Sequence, residues 1–304
     1  MRLRVPAEWM MDWITGTKIP VGRQAKAAFE WMNDNLAGIF DTVAAGLKAL
    51  IGAILAVLQW PLDIGWGQEG YVALYDPALQ PLVMTALFVA LTWILQRDWK
   101  TCLLVGAGFL FIINQGYWKA TTESLALIIA AGAFCMGLGV PLGVLAARCP
   151  RAHRVMVPVL DLMQTLPTFV YLIPAIVFFG LGMVPGLIAT VIFVLPAPIR
   201  LTHLGISSTP VALREAADAF GATPMQRLLK VELPWAFPQI MAGLNQTIML
   251  SLSMVVIAAL VGANGLGVPV VRALNSVNAA LGFEAGLVIT VLAVVLDRML
   301  RVRR

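Results

Sequence analysis

Few side chains in this sequence could take part in catalysis. The chain has two histidines, His153 and His203, and both stand close to arginines rather than to a nucleophile or a pair of carboxylates. Its three cysteines, Cys102, Cys135 and Cys149, lie in apolar runs or beside arginine and lack metal-binding spacing. Because acid–base, nucleophilic and metal chemistry each need several such groups together, the sequence predicts no catalytic residues and no metal site.

The composition indicates that the chain lies in lipid. Hydrophobic residues make up 60% of its 304 residues and charged residues only 12%, which is more apolar surface than a water-soluble domain can bury. Several apolar runs approach the roughly 20 residues that a helix needs to cross a bilayer. We therefore expect an all-α, polytopic transmembrane helical bundle. The predicted spans lie near 42–60, 80–96, 101–115, 123–147, 158–180, 184–201, 237–262 and 283–300.

These runs predict about eight spans, and seven is the alternative because the third is short and the fifth contains Pro167 and Pro174. Lys and Arg are concentrated in the two chain ends and in the connections near 97–100, 148–154 and 200–230. The positive-inside rule makes that side cytoplasmic, with both termini on it. This placement also explains the net charge of +5 without a nucleic acid partner.

The segment before the first predicted span has an amphipathic pattern. Apolar side chains recur there at helical spacing, at Ala25, Ala28, Phe29, Met32 and Leu36. Such a helix is typical of one lying along the membrane surface, and packing on another part of the chain explains the pattern equally well. We divide the chain into a cytoplasmic tail with this interfacial helix (1–41), accessory spans (42–120) and a core domain (121–304).

The cytoplasmic connection 209–234 predicts two consecutive short helices. Thr209 is expected to cap the first helix, with Pro210 at its first position and Gly221 as a left-handed stop. Thr223 and Pro224 repeat the start signal, and a second proline at 234 is expected to end the second helix.

One face of the first of these helices is apolar. Leu213, Ala216, Ala217 and Phe220 form a stripe at helical spacing, and a helix of about ten residues is marginal alone. The stripe therefore needs a partner, which could be another protein or the chain's own spans. A DNA-reading helix-turn-helix is excluded, because the basic side chains of this segment are balanced by acidic ones and leave no basic face.

The same segment resembles the EAA motif of ABC importer permeases, Glu-Ala-Ala-x3-Gly-x9-Ile-x-Leu-Pro. The matching residues are Glu215, Ala216, Ala217, Gly221, Val231, Leu233 and Pro234, with Val in place of Ile as the only change. The resemblance implies a type I importer fold in which the first helix docks into a separate ATPase subunit. ATP and Mg would then belong to that subunit, and this chain, which has no Gly-Lys dipeptide and hence no Walker A loop, would bind no cofactor.

From about residue 120 onward, the chain is similar to the permeases for glycine betaine and proline betaine. The similarity rests on the stretches 161–174, 195–205 and 243–262. It implies uptake of glycine betaine, proline betaine or choline across a bacterial inner membrane, with an external substrate-binding protein and a second copy of the permease as partners. An importer of another small solute, such as an amino acid, is the alternative within this architecture.

Two sets of polar residues interrupt the apolar spans. They are Gln164, Thr165 and Thr168 beside Pro167, and Asn245, Gln246, Thr247 and Ser251. Polar groups in lipid are costly unless paired, so both sets are expected to face the interior of the bundle, either along a transport pathway or in hydrogen bonds between helices. An ion-driven secondary transporter would need acidic residues at the middle of the membrane, and none is predicted there.

Overall fold

The computed structural model describes Gly16 and residues 20–59 and 79–301, and this part of the chain is helical, without strands. The helices are α1 (Val21–Leu58), α2 (Gln80–Gln96), α3 (Trp99–Asn114), α4 (Trp118–Arg148), α5 (Pro150–Thr165), α6 (Thr168–Phe179), α7 (Met183–Val194), α8 (Pro196–Ser207), α9 (Val211–Ala219), α10 (Pro224–Arg227), α11 (Leu233–Ala259), α12 (Gly267–Asn275) and α13 (Ala279–Leu300). A π-helical turn (Leu228–Glu232) joins α10 to α11.

Each of the eight predicted apolar runs has a helical counterpart. Five helical segments in the described part of the chain are long and apolar enough to cross a membrane, and the bent pair α5 and α6 raises the number to six. The remaining two runs, α2 and α3, are apolar helices of 17 and 16 residues. The helical bundle is confirmed. Helix length and composition identify five or six membrane spans in the described residues, compared with the eight that the sequence predicts.

Helix α1 has no break where the sequence suggested a boundary between a tail and a first span. It runs through 38 residues as one helix. Phe29, in its first half, and Phe40, at its middle, both pack on Phe178 near the end of α6, with ring centroids 5.8 and 4.5 Å apart. One residue of the amphipathic pattern, Phe29, thus packs on the chain itself, while Ala28 is exposed and Ala25, Met32 and Leu36 are half-buried.

This packing bears on where the N-terminal tail lies. Phe178 shortly precedes Gly182, whose backbone N–H donates to the Val261 carbonyl at 2.9 Å. Val261 follows the end of α11 that is far from the 209–234 segment. The part of α1 that carries Phe29 and Phe40 thus contacts the end of the bundle opposite that segment. Residues 1–15 lie outside the described part.

The fifth predicted span is two helices rather than one. Helices α5 and α6 meet at an angle of 94°, and the break falls at Leu166 and Pro167, which have extended backbone conformations. Proline cannot donate a backbone hydrogen bond and disfavours helix in the residue before it. Pro174, the other residue expected to bend this span, lies inside α6 without breaking it.

Glycines let α4, α8 and α11 approach closely at the centre of the bundle. A Cβ on Gly143 of α4 would come within 2.6 Å of the Thr202 Cβ and 2.8 Å of the Ile199 carbonyl oxygen in α8. A Cβ on Gly205 of α8 would lie 2.9 Å from the Ala236 Cβ in α11. Small residues at helix contacts are typical of packing in membranes. Helix α8 ends just before the 209–234 segment, and α11 begins at its end. The close packing of α8 on α11 therefore fixes the positions of the two ends of this segment.

Candidate functional site

The start of the 209–234 segment differs from the prediction. Thr209 does not cap the first helix: its side chain is 2% exposed and its Oγ1 has no hydrogen-bond partner. Helix α9 begins at Val211, one residue after Pro210, so that the proline precedes the helix instead of opening it. The backbone explains the difference, because the Thr209 N–H donates to the Ile206 carbonyl at 3.1 Å and the residue still belongs to the last turn of α8.

The end of α9 is the left-handed stop that the sequence predicts. Gly221 has φ of +76°. Its N–H donates to the Asp218 carbonyl at 3.0 Å, and the Ala222 N–H donates to the Ala217 carbonyl at 3.0 Å. These two bonds form a Schellman motif, which satisfies carbonyls at a helix end and favours glycine at the left-handed position. The chain is thereby turned sharply from α9 into α10.

The second short helix begins as predicted but does not end as predicted. Thr223 Oγ1 accepts from the Gln226 N–H at 3.3 Å and Gln226 Oε1 accepts from the Thr223 N–H at 2.9 Å, which is a complete capping box. The helix then continues through the π-helical turn into α11, and Pro234 lies in the first turn of α11. The wider π turn allows the helix to pass a residue that cannot donate.

The apolar stripe of α9 is not covered by the chain's own spans. No residue of α9 is buried, and Phe220 is 92% exposed and Leu213 42% exposed. Glu215 and Ala216 are exposed and Ala217 is half-buried. The remaining motif residues lie at the base of α11, where Val231 and Leu233 are half-buried and Pro234 is exposed. The segment therefore presents a short, rigidly capped helix whose apolar side is free to meet another protein.

A partly buried ion-pair network lies behind α9, and sequence reasoning missed it. Glu232 is only 5% exposed; its Oε1 accepts from Arg227 Nε and its Oε2 from Arg148 Nη2, both at 3.2 Å. Arg227 Nη1 also donates to the two carboxylate oxygens of Asp218, at 2.9 and 2.6 Å. In the sequence these groups only balance one another in charge. Residues 227 and 232 face each other because of the π turn between them, which the sequence did not predict.

The polar residues predicted to face the bundle interior fall into two groups in the structure. Gln164, Thr165 and Pro167 are exposed and Thr168 is half-buried at the break between α5 and α6, and Gln246 in α11 is exposed. Asn245 Nδ2 instead donates to Asp297 Oδ1 of α13 at 2.9 Å. Thr247 and Ser251 are buried and donate to carbonyls within α11, those of Gly243 and Thr247, at 2.8 Å. Among the described residues, no hydrogen bond joins the set on α11 to the set at the break.

A cavity of about 410 Å³ lies at the end of the bundle opposite the 209–234 segment, with Tyr117, Lys119, Glu123, Asn264 and Arg272 among its lining residues. Burial raises the pKa of the Tyr117 hydroxyl, and the neighbouring carboxylate of the last helix raises that pKa further. Within residues 20–59 and 79–301, no three side chains are grouped so that they could hold a metal ion. This end of the molecule therefore presents charged and aromatic groups to the aqueous side.

Comparison with known proteins places the chain among transport proteins. Residues 139–302 match the family described as binding-protein-dependent transport system inner membrane component. The glycine betaine transport system permease protein OpuAB of Bacillus subtilis is 41% identical over 282 residues, which are 93% of each chain. The glycine betaine/proline betaine transport system permease protein ProW of Escherichia coli is 50% identical over 184 residues, 60% of this chain and 52% of that protein.

A solved structure has the same fold. The inward-facing MetNI methionine ABC transporter matches with a TM-score of 0.54 and 24% sequence identity, over 61% of this chain and 94% of that chain. This likeness supports the type I importer fold alone. Because the family match spans more than half of the chain and OpuAB matches nearly all of it, the chain belongs to the family of binding-protein-dependent transport system inner membrane components.

Proposed function

We propose that this chain is the permease of an ATP-driven importer for compatible solutes, with glycine betaine, proline betaine or choline as substrates. The solute class comes from its relatives, which are named for glycine betaine and proline betaine and share 41% and 50% of the aligned residues. A separate ATPase subunit hydrolyses ATP and holds ATP and Mg, and an external binding protein delivers the solute. The chain itself forms the transport pathway.

The exposed apolar side of α9 carries the coupling part of this proposal. A short helix that buries none of its residues in its own chain gains stability by packing against a partner. In the EAA resemblance that partner is the ATPase, and Ala216 and Ala217 are the positions of close approach. Glu215, which is exposed, makes a polar contact with the ATPase. Closure of the ATPase then pushes on α9 and, through it, on the helices to which it is joined.

A second copy of the chain completes the pathway in this proposal. Gln164 and Thr165 are exposed on the surface of the single chain, beside the break at Pro167. In a lone bundle these polar side chains would face lipid, which costs free energy. In a homodimer they face a pathway between the two copies, together with Thr168 and Gln246. Asn245, Thr247 and Ser251 support this wall through the hydrogen bonds that they already make.

The proposed orientation puts α9, the neighbouring arginines and the C-terminus on the cytoplasmic side of a bacterial inner membrane. The basic residues near 148–154 and 200–230 support this side through the positive-inside rule. Lipid surrounds the remaining apolar exterior.

Uptake by purified components tests the function. The chain is reconstituted in proteoliposomes with its ATPase and binding protein, and uptake of labelled glycine betaine is measured. We expect uptake that requires all three proteins and ATP, and that unlabelled proline betaine or choline reduces. Vesicles that contain the ATPase with a non-hydrolysable nucleotide serve as the control. Uptake that persists without ATP, or failure to transport any quaternary amine, would contradict the proposal.

A further inference from the structure

The buried carboxylate of Glu232 stands where four separate elements meet. It lies in the π-helical turn at the base of α11, between Arg227 of α10 and Arg148, the last residue of α4. Each of its oxygens accepts from one of the two guanidinium groups at 3.2 Å. Burying a carboxylate that is only 5% exposed is costly unless it is paired, and here both oxygens accept from a guanidinium group. The pairing therefore constrains both arginines at once.

The two arginines extend this junction to α9 and α10. Arg227 holds both carboxylate oxygens of Asp218, in the last turn of α9. Arg148 also donates to the Pro224 carbonyl at the start of α10, at 2.6 Å. A continuous chain of charged contacts thus runs from α9 through Arg227, Glu232 and Arg148 to the end of α4. Without Glu232, the two guanidinium groups would face each other without an anion between them.

Beside the junction, Val144 and Ala147 of α4 pack on a small apolar cluster that includes Leu228 of the π turn, so that apolar packing accompanies the charged contacts of the junction. A cavity of about 430 Å³ opens beside it, lined by Ala147, Ile206, Ser207 and Arg214 together with the arginines and Glu232. Helix α9 is covalently continuous with α8 and, through α10, with α11, but it has no such connection to α4. The polar contacts bridge this open space and link α9 to α4 directly, in addition to the packing of α4 on α8 and α11.

We propose that Glu232 is a positioning residue that transmits movement of α9 to α4 as well as to α11. This inference rests on the proposed function, because it assumes that an ATPase moves α9. Neutralising Glu232 leaves α9 exposed and free to bind its partner, but removes the charged link between α9 and α4, so that α4 keeps the Arg148–Pro224 hydrogen bond and its packing on α8 and α11. ATP hydrolysis then continues while solute transport falls, so that the number of solute molecules taken up per ATP decreases.

The test compares Glu232→Gln with the wild type in proteoliposomes that contain the ATPase and the binding protein. We expect normal co-purification of the ATPase, ATP hydrolysis close to wild type, and uptake per ATP lower by about tenfold, a coupling within the range measured between contacting residues. Glu30→Gln is the matched control: it breaks the exposed pair that Lys26 and Glu30 form in α1 at 3.6 Å, and it should leave the ratio unchanged.

A double-mutant cycle separates a transmitting role from a merely structural one. Arg148→Gln severs only the link to α4 and leaves Glu232 paired with Arg227. We expect it to lower uptake per ATP as Glu232→Gln does, and we expect the double variant to be no worse than Glu232→Gln alone. If Glu232→Gln does not assemble, Arg148→Gln alone decides the question, because the buried carboxylate keeps one partner.

Three outcomes would overturn the inference: an unchanged uptake-to-ATP ratio in these variants, a parallel loss of hydrolysis and uptake, or strictly additive effects. They differ from failure of the proposed function itself, in which the wild-type complex would not transport a quaternary amine with ATP at all.

Discussion

Phe220 is the residue whose position most directly suggests a partner. It is an aromatic side chain, 92% exposed, on a helix that buries none of its own residues. We predict that Phe220→Ala leaves thermal unfolding of the detergent-solubilised protein unchanged, because no intramolecular contact is lost, and that it reduces co-purification of the ATPase about tenfold or more, as for an aromatic residue at the centre of an interface.

Phe283→Ala provides the control for this prediction. Phe283 is 76% exposed but lies near the start of α13, away from the 209–234 segment, and its removal should not affect ATPase binding. Equal binding of the ATPase by the wild type and the Phe220→Ala variant would remove the strongest support for α9 as the contact helix.

Gly221 gives a second prediction at the scale of a single residue. A Cβ at this position would have open space around it, so that the constraint comes only from its φ of +76°. A β-branched residue is strained in this conformation by about 1–2 kcal/mol, whereas Asn tolerates it well. We expect Gly221→Val to misplace α9 and weaken ATPase co-purification while the chain still inserts in the membrane, and Gly221→Asn to behave like the wild type. Equal assembly of both variants would contradict this reasoning.

Some of these local features could be predicted from the sequence and others could not. Thr209 and Thr223 both precede a proline, and the sequence interpretation treated them alike. Only Thr223 caps a helix, and Gln226 three residues later completes its capping box. Thr209 is bonded through its backbone to Ile206 of α8 and has Ala212, which cannot complete such a box, at the equivalent place. The role of Glu232 could not be predicted, since it depends on contact with Arg148, which is remote in sequence.

At the scale of helices, the structure makes a prediction about two glycines in α4. Gly143 abuts α8, where a Cβ would come 2.8 Å from a backbone oxygen, whereas a Cβ on Gly137 would meet nothing within 4 Å. We expect Gly143→Ala to lower the thermal unfolding temperature because α4 and α8 must separate. Gly137→Ala should maintain or raise it, because Ala favours helix by about 1 kcal/mol over Gly. The reverse order of the two unfolding temperatures would contradict the packing described for α4 and α8.

Helix positions followed from the sequence better than helix boundaries did. Apolar composition located a helix in each of the eight predicted spans because lipid requires apolar side chains, but it did not predict α12. It could not show that α1 continues through residue 41, because the amphipathic pattern fits a surface helix and a packed helix equally. The proline signal at Pro234 likewise gave a wrong end for the second short helix. The π turn before this proline allows the helix to continue, and such turns have no strong sequence signal.

At the scale of the whole molecule, one long helical segment joins the two ends of the bundle. The stretch Pro224–Ala259 comprises 36 residues, about 54 Å of helix at the usual rise. It begins beside α9 and ends next to Val261, which accepts from Gly182, and Leu266, whose N–H donates to Ser124 Oγ at 2.8 Å. In the coupling that we propose, a displacement of α9 reaches the far end of the bundle along this segment, and the Glu232 junction gives it a second route through α4.

Photo-crosslinking from position 220 tests the central claim, that α9 is the contact helix for a separate ATPase. A photoreactive amino acid replaces Phe220 in the membrane-embedded complex, with the same replacement at Phe283 as the control. We predict a crosslink from position 220 to the ATPase subunit and none from position 283. An adduct formed only within the permease chain, or crosslinks to the ATPase from both positions alike, would contradict the claim.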